Sequence, residues 1–269
     1  MNGFELAQRA GIDVRTREAV KAIPLPKNEM ELRQLFFEQP DQFREYARKM
    51  DGLTVLRLYL EWASETKRRY DALGIAEEIF WDGMKDLALW CDDYLAKHSV
   101  PGFAEWDWVG GTLRLEIFRI GRLQFAPGAL HEAVVLNGEN YPAGTPVLEV
   151  HIPAGEALDT DAAEAALRRA PQFFETHFQK TYPLFCCHSW LLSPSLRELL
   201  AGQSRIIRFQ NLFSVCREDD SERQAEERVF GCVRDDANAY EEKTSLQRTL
   251  KQALLQGKSV GMGFGVRKI

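Results

Sequence analysis

The sequence predicts an α+β (α/β) fold, with a helical N-terminal domain followed by a mixed β-sheet flanked by helices. Three observations predict it. Apolar residues recur at helical spacing through roughly the first hundred positions. The period turns strand-like near residue 119, and strand-type and helix-type segments then alternate to the end. At 269 residues, 45% hydrophobic and 28% charged, the chain has a globular composition and a length that suits one large domain or two smaller ones. The change of pattern around Val100-Pro101-Gly102 divides it into 1–105 and 106–269.

In the first part, Asn28 with Glu31 three positions on reads as a capping box, followed by an apolar stripe at Met30, Leu32, Leu35 and Phe36. Pro40 stops that helix and Asp41 opens another that runs to Met50. Leu56, Leu58, Tyr59, Leu60, Trp62 and Ala63 give residues 53–73 a broad buried face, and Gly74 suits the C-cap. A further helix is expected over 76–97, with Phe80, Met84, Leu87 and Trp90 spaced for packing. The tryptophan-rich segment from Trp106 to about Phe118 reads as one more helix that leads into the second part.

There, residues 119–125 read as a strand and 146–152 as the clearest strand of the chain, ending at Pro153 and Gly155. Asp159 or Thr160 caps a helix to about residue 178. The continuous apolar run 183–192 has the length of a buried strand, and Ser193-Pro194 opens a short helix. Residues 227–234 read as a strand, 244–256 as a helix and 261–267 as the last strand. Such alternation implies crossover connections and a partly parallel sheet.

Several function classes are disfavoured. Acidic residues exceed basic ones, 40 to 34, which argues against nucleic acid as the main partner. Five cysteines, an odd number in a long chain, do not resemble a secreted disulfide framework. The opening residues lack a signal-peptide pattern, and no apolar run approaches the roughly 18 residues that span a bilayer, so a cytoplasmic location with no membrane partner is expected. Gly257-Lys258-Ser259 ends like a phosphate loop but has Gln252 where the opening glycine belongs. The glycines of Gly261-Met-Gly-Phe-Gly265 fit tight backbone packing better than dinucleotide binding. His131-Glu132 lacks a second histidine at zincin spacing, and no metal is expected.

The residues that can carry chemistry lie on two strands. Glu149 and His151 share one face of theirs, and Cys186 and His188 share one face of theirs. If the strands are parallel neighbours, a carboxylate and two imidazoles line one surface, as an acid/base site or as a satisfied hydrogen-bond network. Cys186 and His188 stand about 7 Å apart along one strand face, too far for a nucleophile–base pair, so Cys186 and Cys187 read as structural thiols. A cysteine-dependent transferase or hydrolase is the third-ranked alternative.

Three stretches carry a resemblance: Phe118-Arg-Ile-Gly-Arg-Leu-Gln-Phe125, Val150-His-Ile-Pro-Ala-Gly155 and Phe185-Cys-Cys-His-Ser-Trp-Leu-Leu-Ser-Pro194, with Lys243-Thr-Ser-Leu-Gln-Arg-Thr-Leu250 adding to it. Together they resemble bacterial acyltransferase-like proteins that join a helical N-acyltransferase N-terminal domain to a GNAT-like C-terminal domain. The resemblance implies acyl-CoA as co-substrate, an amine acceptor and two central parallel strands that splay around the thioester. It implies Glu149 as the base for the amine, beside which the strand faces offer His151 and His188 as catalytic residues, with Val150, Ile152, Cys187, Ser189, Trp190 and Gln124 expected around the acyl-CoA. One departure is plain: where GNAT enzymes carry a glycine-rich basic phosphate loop, this chain has Glu156, Asp159 and Asp161. That loop motivates the alternative of a catalytically silent GNAT-like module for ligand binding or interaction.

Overall fold

A computed structural model describes residues 2–219 and 222–269. It divides into two compact units, Met1–Ile120 and Gly121–Ile269.

The first unit contains α1 (Gly3–Arg9), α2 (Val14–Lys21), α3 (Glu29–Glu38), α4 (Pro40–Ala47), α5 (Gly52–Ala72), α6 (Glu77–His98) and α7 (Trp106–Leu113), and ends in the short strand β1 (Phe118–Ile120). Helix α5 is its hub, packing against α1, α2, α3, α6 and α7. Asp51 starts it by accepting a hydrogen bond from the Leu53 amide at 2.9 Å, and Gly74 at φ +67 follows its end. Its buried face presents Tyr59 and Trp62 to Phe36 and Phe43, with neighbouring ring centroids 5.1–6.2 Å apart. Each such fully buried ring is worth about 1.5–3 kcal/mol over an exposed one.

The expected capping box at Asn28 does not form; the side chain makes no cap hydrogen bond, because its backbone lies at φ −98, ψ 28, outside the extended geometry a cap requires. Pro40 is the first residue of α4 and not merely the stop of α3, a position where a missing N–H costs nothing. The first unit also takes in α7. Thr66 Oγ1 donates to the Leu113 carbonyl at 2.8 Å and Tyr59 Oη to the Trp106 carbonyl at 2.9 Å, which ties α7 to α5.

The second unit contains β2 (Leu123–Ala129), β3 (Val134–Leu136), β4 (Glu139–Tyr141), β5 (Pro146–His151), α8 (Thr160–Phe178), β6 (Leu184–Ser189), a 3-10 turn at Trp190–Leu192, α9 (Leu196–Leu199), α10 (Arg205–Gln210), β7 (Ser214–Asp219), α11 (Gln224–Phe230), α12 (Ser245–Leu255) and β8 (Met262–Lys268). The strand expected over 119–125 is interrupted at Gly121, whose φ of +64 turns the chain between β1 and β2.

Sheet order in this unit is β2-β5-β6-β8-β7. β5 and β6 are parallel, and the remaining pairs are antiparallel. A parallel pair needs a long crossover, and α8 supplies it, capped by Asp159, which accepts from the Ala162 amide at 2.8 Å. The strand expected over 227–234 is instead the helix α11. Ala225 and Glu226 turn inward and Val229 and Phe230 follow one turn later, a helical repeat that packs against the cluster of Trp190, Ile207, Leu250 and Met262. Residues 244–256 form α12 as expected, with Thr244 and Gln247 closing a capping box.

Candidate functional site

The central parallel pair determines what faces what. Its register runs Val147↔Leu184, Leu148↔Phe185 and Glu149↔Cys186, and pairing ends there. Both strands continue, β5 to His151 and β6 to Ser189, so they part beyond Glu149. Side chains alternate along each strand, so Val147, Glu149 and His151 share a face with Leu184, Cys186 and His188. Below the parting this face is closed by an apolar cluster of Leu130, Leu136, Tyr141, Val147, Leu184 and Val266. Above it lies a cavity of about 520 Å³, lined in part by Glu149, His151, Cys186 and His188.

Within the cavity the Glu149 carboxylate stands 3.7 Å from His151 Nε2. The two side chains are 37% and 30% exposed, so an entering molecule can reach both. Glu149 takes this position because β2 carries glycine beside it. A Cβ at Gly128 would stand 2.2 Å from Glu149 Oε1. His188 is exposed and its ring centroid lies 6.4 Å from that of Phe264 on β8. Burial, and secondarily the charge of Glu149, pushes the Cys186 thiol up to about 12, and burial raises Cys187 as well. Neither thiol is a nucleophile near neutral pH.

A strap crosses this face. Arg217 of β7 donates to Glu132 at 2.6 Å and holds its guanidinium 5.1 Å from the Phe264 ring centroid. The β-bulge between Val215 and Arg217 brings Arg217 opposite Phe264.

The other predicted residues lie elsewhere around the same strands. Val150 also lines the cavity, though its side chain is buried toward the opposite face. Cys187 and Ser189 alternate to that opposite face and are buried, as is Trp190 in the turn that follows. Gln124 is buried opposite His151 in the β2–β5 register, and Ile152 follows the last residue of β5. Sequence reasoning missed Gly128, Glu132, Arg217 and Phe264, whose roles depend on pairings between distant segments. A local signal existed only for the β3–β4 hairpin beside the cavity, namely the Asn137-Gly138 dipeptide, which takes φ +52 and +82.

The loop after β5 is held from within. Arg122 donates to the carbonyls of Ala157 at 2.9 Å and Glu156 at 3.0 Å, while Asp159 occupies the α8 N-terminus. Among the described residues, no group of three or more His, Cys, Asp or Glu side chains is placed to hold a metal ion, and no helix is long and apolar enough to cross a membrane.

The family described as a GNAT-like C-terminal domain matches residues 117–267, more than half of the chain. The chain belongs to this GNAT-like family. The family described as an N-acyltransferase N-terminal domain matches residues 1–115. No curated protein matches the sequence. Among solved structures, the GNAT-like chain is similar to an acyltransferase in complex with decanoyl-CoA and teicoplanin, at 22% identity and a TM-score of 0.79, over 98% of this chain and 86% of that one. It is similar to an acyltransferase in complex with decanoyl-CoA at 23% identity and a TM-score of 0.78, over the same shares. A mutant acyltransferase in complex with octanoyl-CoA matches at 22% identity and 0.79, over 98% and 87%. These likenesses establish a shared fold across the whole chain.

Proposed function

We propose that this GNAT-like protein is an acyl-CoA-dependent N-acyltransferase that works in the cytoplasm. The observation that carries the reading is the end of the β5–β6 register at Glu149↔Cys186, above a cavity lined by Glu149, His151 and His188. The thioester lies in the parting. Backbone amides from Val150 to Ile152, at and just past the end of β5, donate to its carbonyl oxygen, where negative charge develops. The acyl chain runs past Cys187, Ser189, Trp190 and Gln124. Glu149 takes a proton from the incoming amine and His151 shares it, with His188 across the gap. The amine nitrogen attacks the thioester carbon, the new C–N bond forms as the C–S bond breaks, and the sulfur leaves as a thiolate that takes up the released proton.

A second reading, a GNAT-like module that binds a ligand without transferring acyl groups, is favoured by the α8 N-terminus. Asp159 fills that end, flanked by Glu156 and Asp161, where a diphosphate would be seated. Calorimetry with decanoyl-CoA, followed by turnover with an amine panel, separates the two. Under the transferase reading, a ligand at a hundred times its Kd stabilises the fold by about 2.7 kcal/mol. Glu149→Gln then loses about 10²–10⁴-fold in kcat without a loss of melting temperature. Binding with no transfer to any amine selects the second reading, and absence of binding refutes the first.

A further inference from the structure

Among the described residues, three carboxylates line the cavity, from Glu132, Glu149 and Glu222, with three imidazoles, from His131, His151 and His188, and one guanidinium, that of Arg217. That cation is engaged on two sides. Glu132 accepts its hydrogen bond at 2.6 Å, and the Phe264 ring lies under it at 5.1 Å. Leu130, Val134, Met262 and Phe264 make much of the remaining wall apolar. The described lining therefore carries more carboxylates than guanidinium groups around a hydrophobic interior, and the Arg217 charge is already matched by a carboxylate.

We infer that the cavity takes an amine acceptor that brings no carboxylate or phosphate into it, an alkyl or sugar amine and not an amino acid. This rests on the acyl-transfer reading of the site. An ammonium group is drawn toward Glu149 and its neighbours. An anionic group on the same molecule meets their repulsion, and the Arg217 charge that could answer it is already offset by Glu132. The Glu132–Arg217 strap is thus the specificity element, since it offsets the positive charge that an amino acid would need.

Calorimetry on the full chain with hexylamine and with 6-aminohexanoate tests this directly, since the two probes differ chiefly in the terminal carboxylate. Hexylamine should bind about tenfold tighter or more. Glu132→Gln leaves Arg217 available and should narrow the gap by improving 6-aminohexanoate, with the melting curve as the control for folding. Should that variant not fold, Arg217→Gln is the second probe, and it should keep hexylamine ahead. Equal or reversed affinities in the unmodified protein overturn the inference, as does binding of neither probe. An unchanged ratio in Glu132→Gln overturns the role of the strap. Failure of decanoyl-CoA to bind is a separate result, which sinks the transferase reading while the amine preference of the cavity is still measured.

Discussion

Gly128→Ala places one methyl group where the Glu149 carboxylate now rests. The new Cβ would stand 2.2 Å from Oε1, 2.8 Å from Cδ and 2.9 Å from Cγ, whereas ordinary contact begins at 3.4 Å. The oxygen must therefore retreat by about 1.2 Å, from 2.2 to 3.4 Å. Glu149 is partly exposed and can rotate, so the stability cost is small, within about 1–2 kcal/mol of overpacking. The effect on catalysis is larger, because a misplacement of about 1 Å in a reacting group costs on the order of 10²-fold. Steady-state turnover with decanoyl-CoA and a competent amine should fall by about that factor while the melting temperature changes little. Combined with Glu149→Gln, the loss should be far from additive, since both changes remove the same positioned carboxylate. Turnover of folded Gly128→Ala within about twofold of the parent would refute the reasoning, and full additivity would do the same.

Thiol reagent at pH 7 should modify the exposed Cys216 first and leave Cys186 and Cys187 intact in the folded protein, since a thiol at about 12 is ionised to only about one part in 10⁵; rapid labelling of Cys186, read by peptide mass spectrometry, would restore a cysteine-based mechanism. Glu226 accepts from Arg223 at 2.6 Å and from Tyr240 at 2.5 Å. Burial alone would raise this carboxyl, but these bonds and the Arg223 charge outweigh it and hold it below the usual range. Its contribution is therefore present above the unfolded carboxyl pKa near 4.5 and lost as pH falls through the lower folded value. Glu226→Gln should lower denaturant stability at pH 7 by about 1–3 kcal/mol, and the deficit should shrink in acid. Gly263→Ala brings a Cβ to 2.2 Å from the Leu192 carbonyl oxygen, which is backbone and cannot swing aside, so stability should drop by about 1–3 kcal/mol or more. Gly202→Ala, with open space around it, should stay within about 0.5 kcal/mol.

The long helices and central strands were legible because their signals are local and repeated. Leu56 to Ala63 mark α5, Val147 to Val150 mark β5, and the run around Cys186 marks β6. Segments whose conformation depends on one residue or on a distant partner were not. Gly121 divides an apparently continuous strand through its φ of +64. α11 was misread because a short amphipathic helix and a strand share much of their apolar content, and only packing against Leu250 and Met262 separates them. The same division runs through the site. That Glu149 and His151 share a face follows from strand periodicity. That Cys186 stands opposite Glu149 is a matter of register. That Arg217 reaches Glu132, 85 positions away, is tertiary structure alone.

The bulge in β7 has a consequence for self-association. β7 is the last strand of its sheet, and such an edge offers unpaired backbone groups to any passing strand. Here two residues of the edge oppose one of β8, which breaks the regular spacing that a recruited strand would have to match. Arg217, Glu218 and Asp219 then follow in succession, placing charge on both faces of a row that an incoming chain would have to desolvate. The irregularity that sets Arg217 over Phe264 thus also blunts the sheet margin against edge-to-edge aggregation.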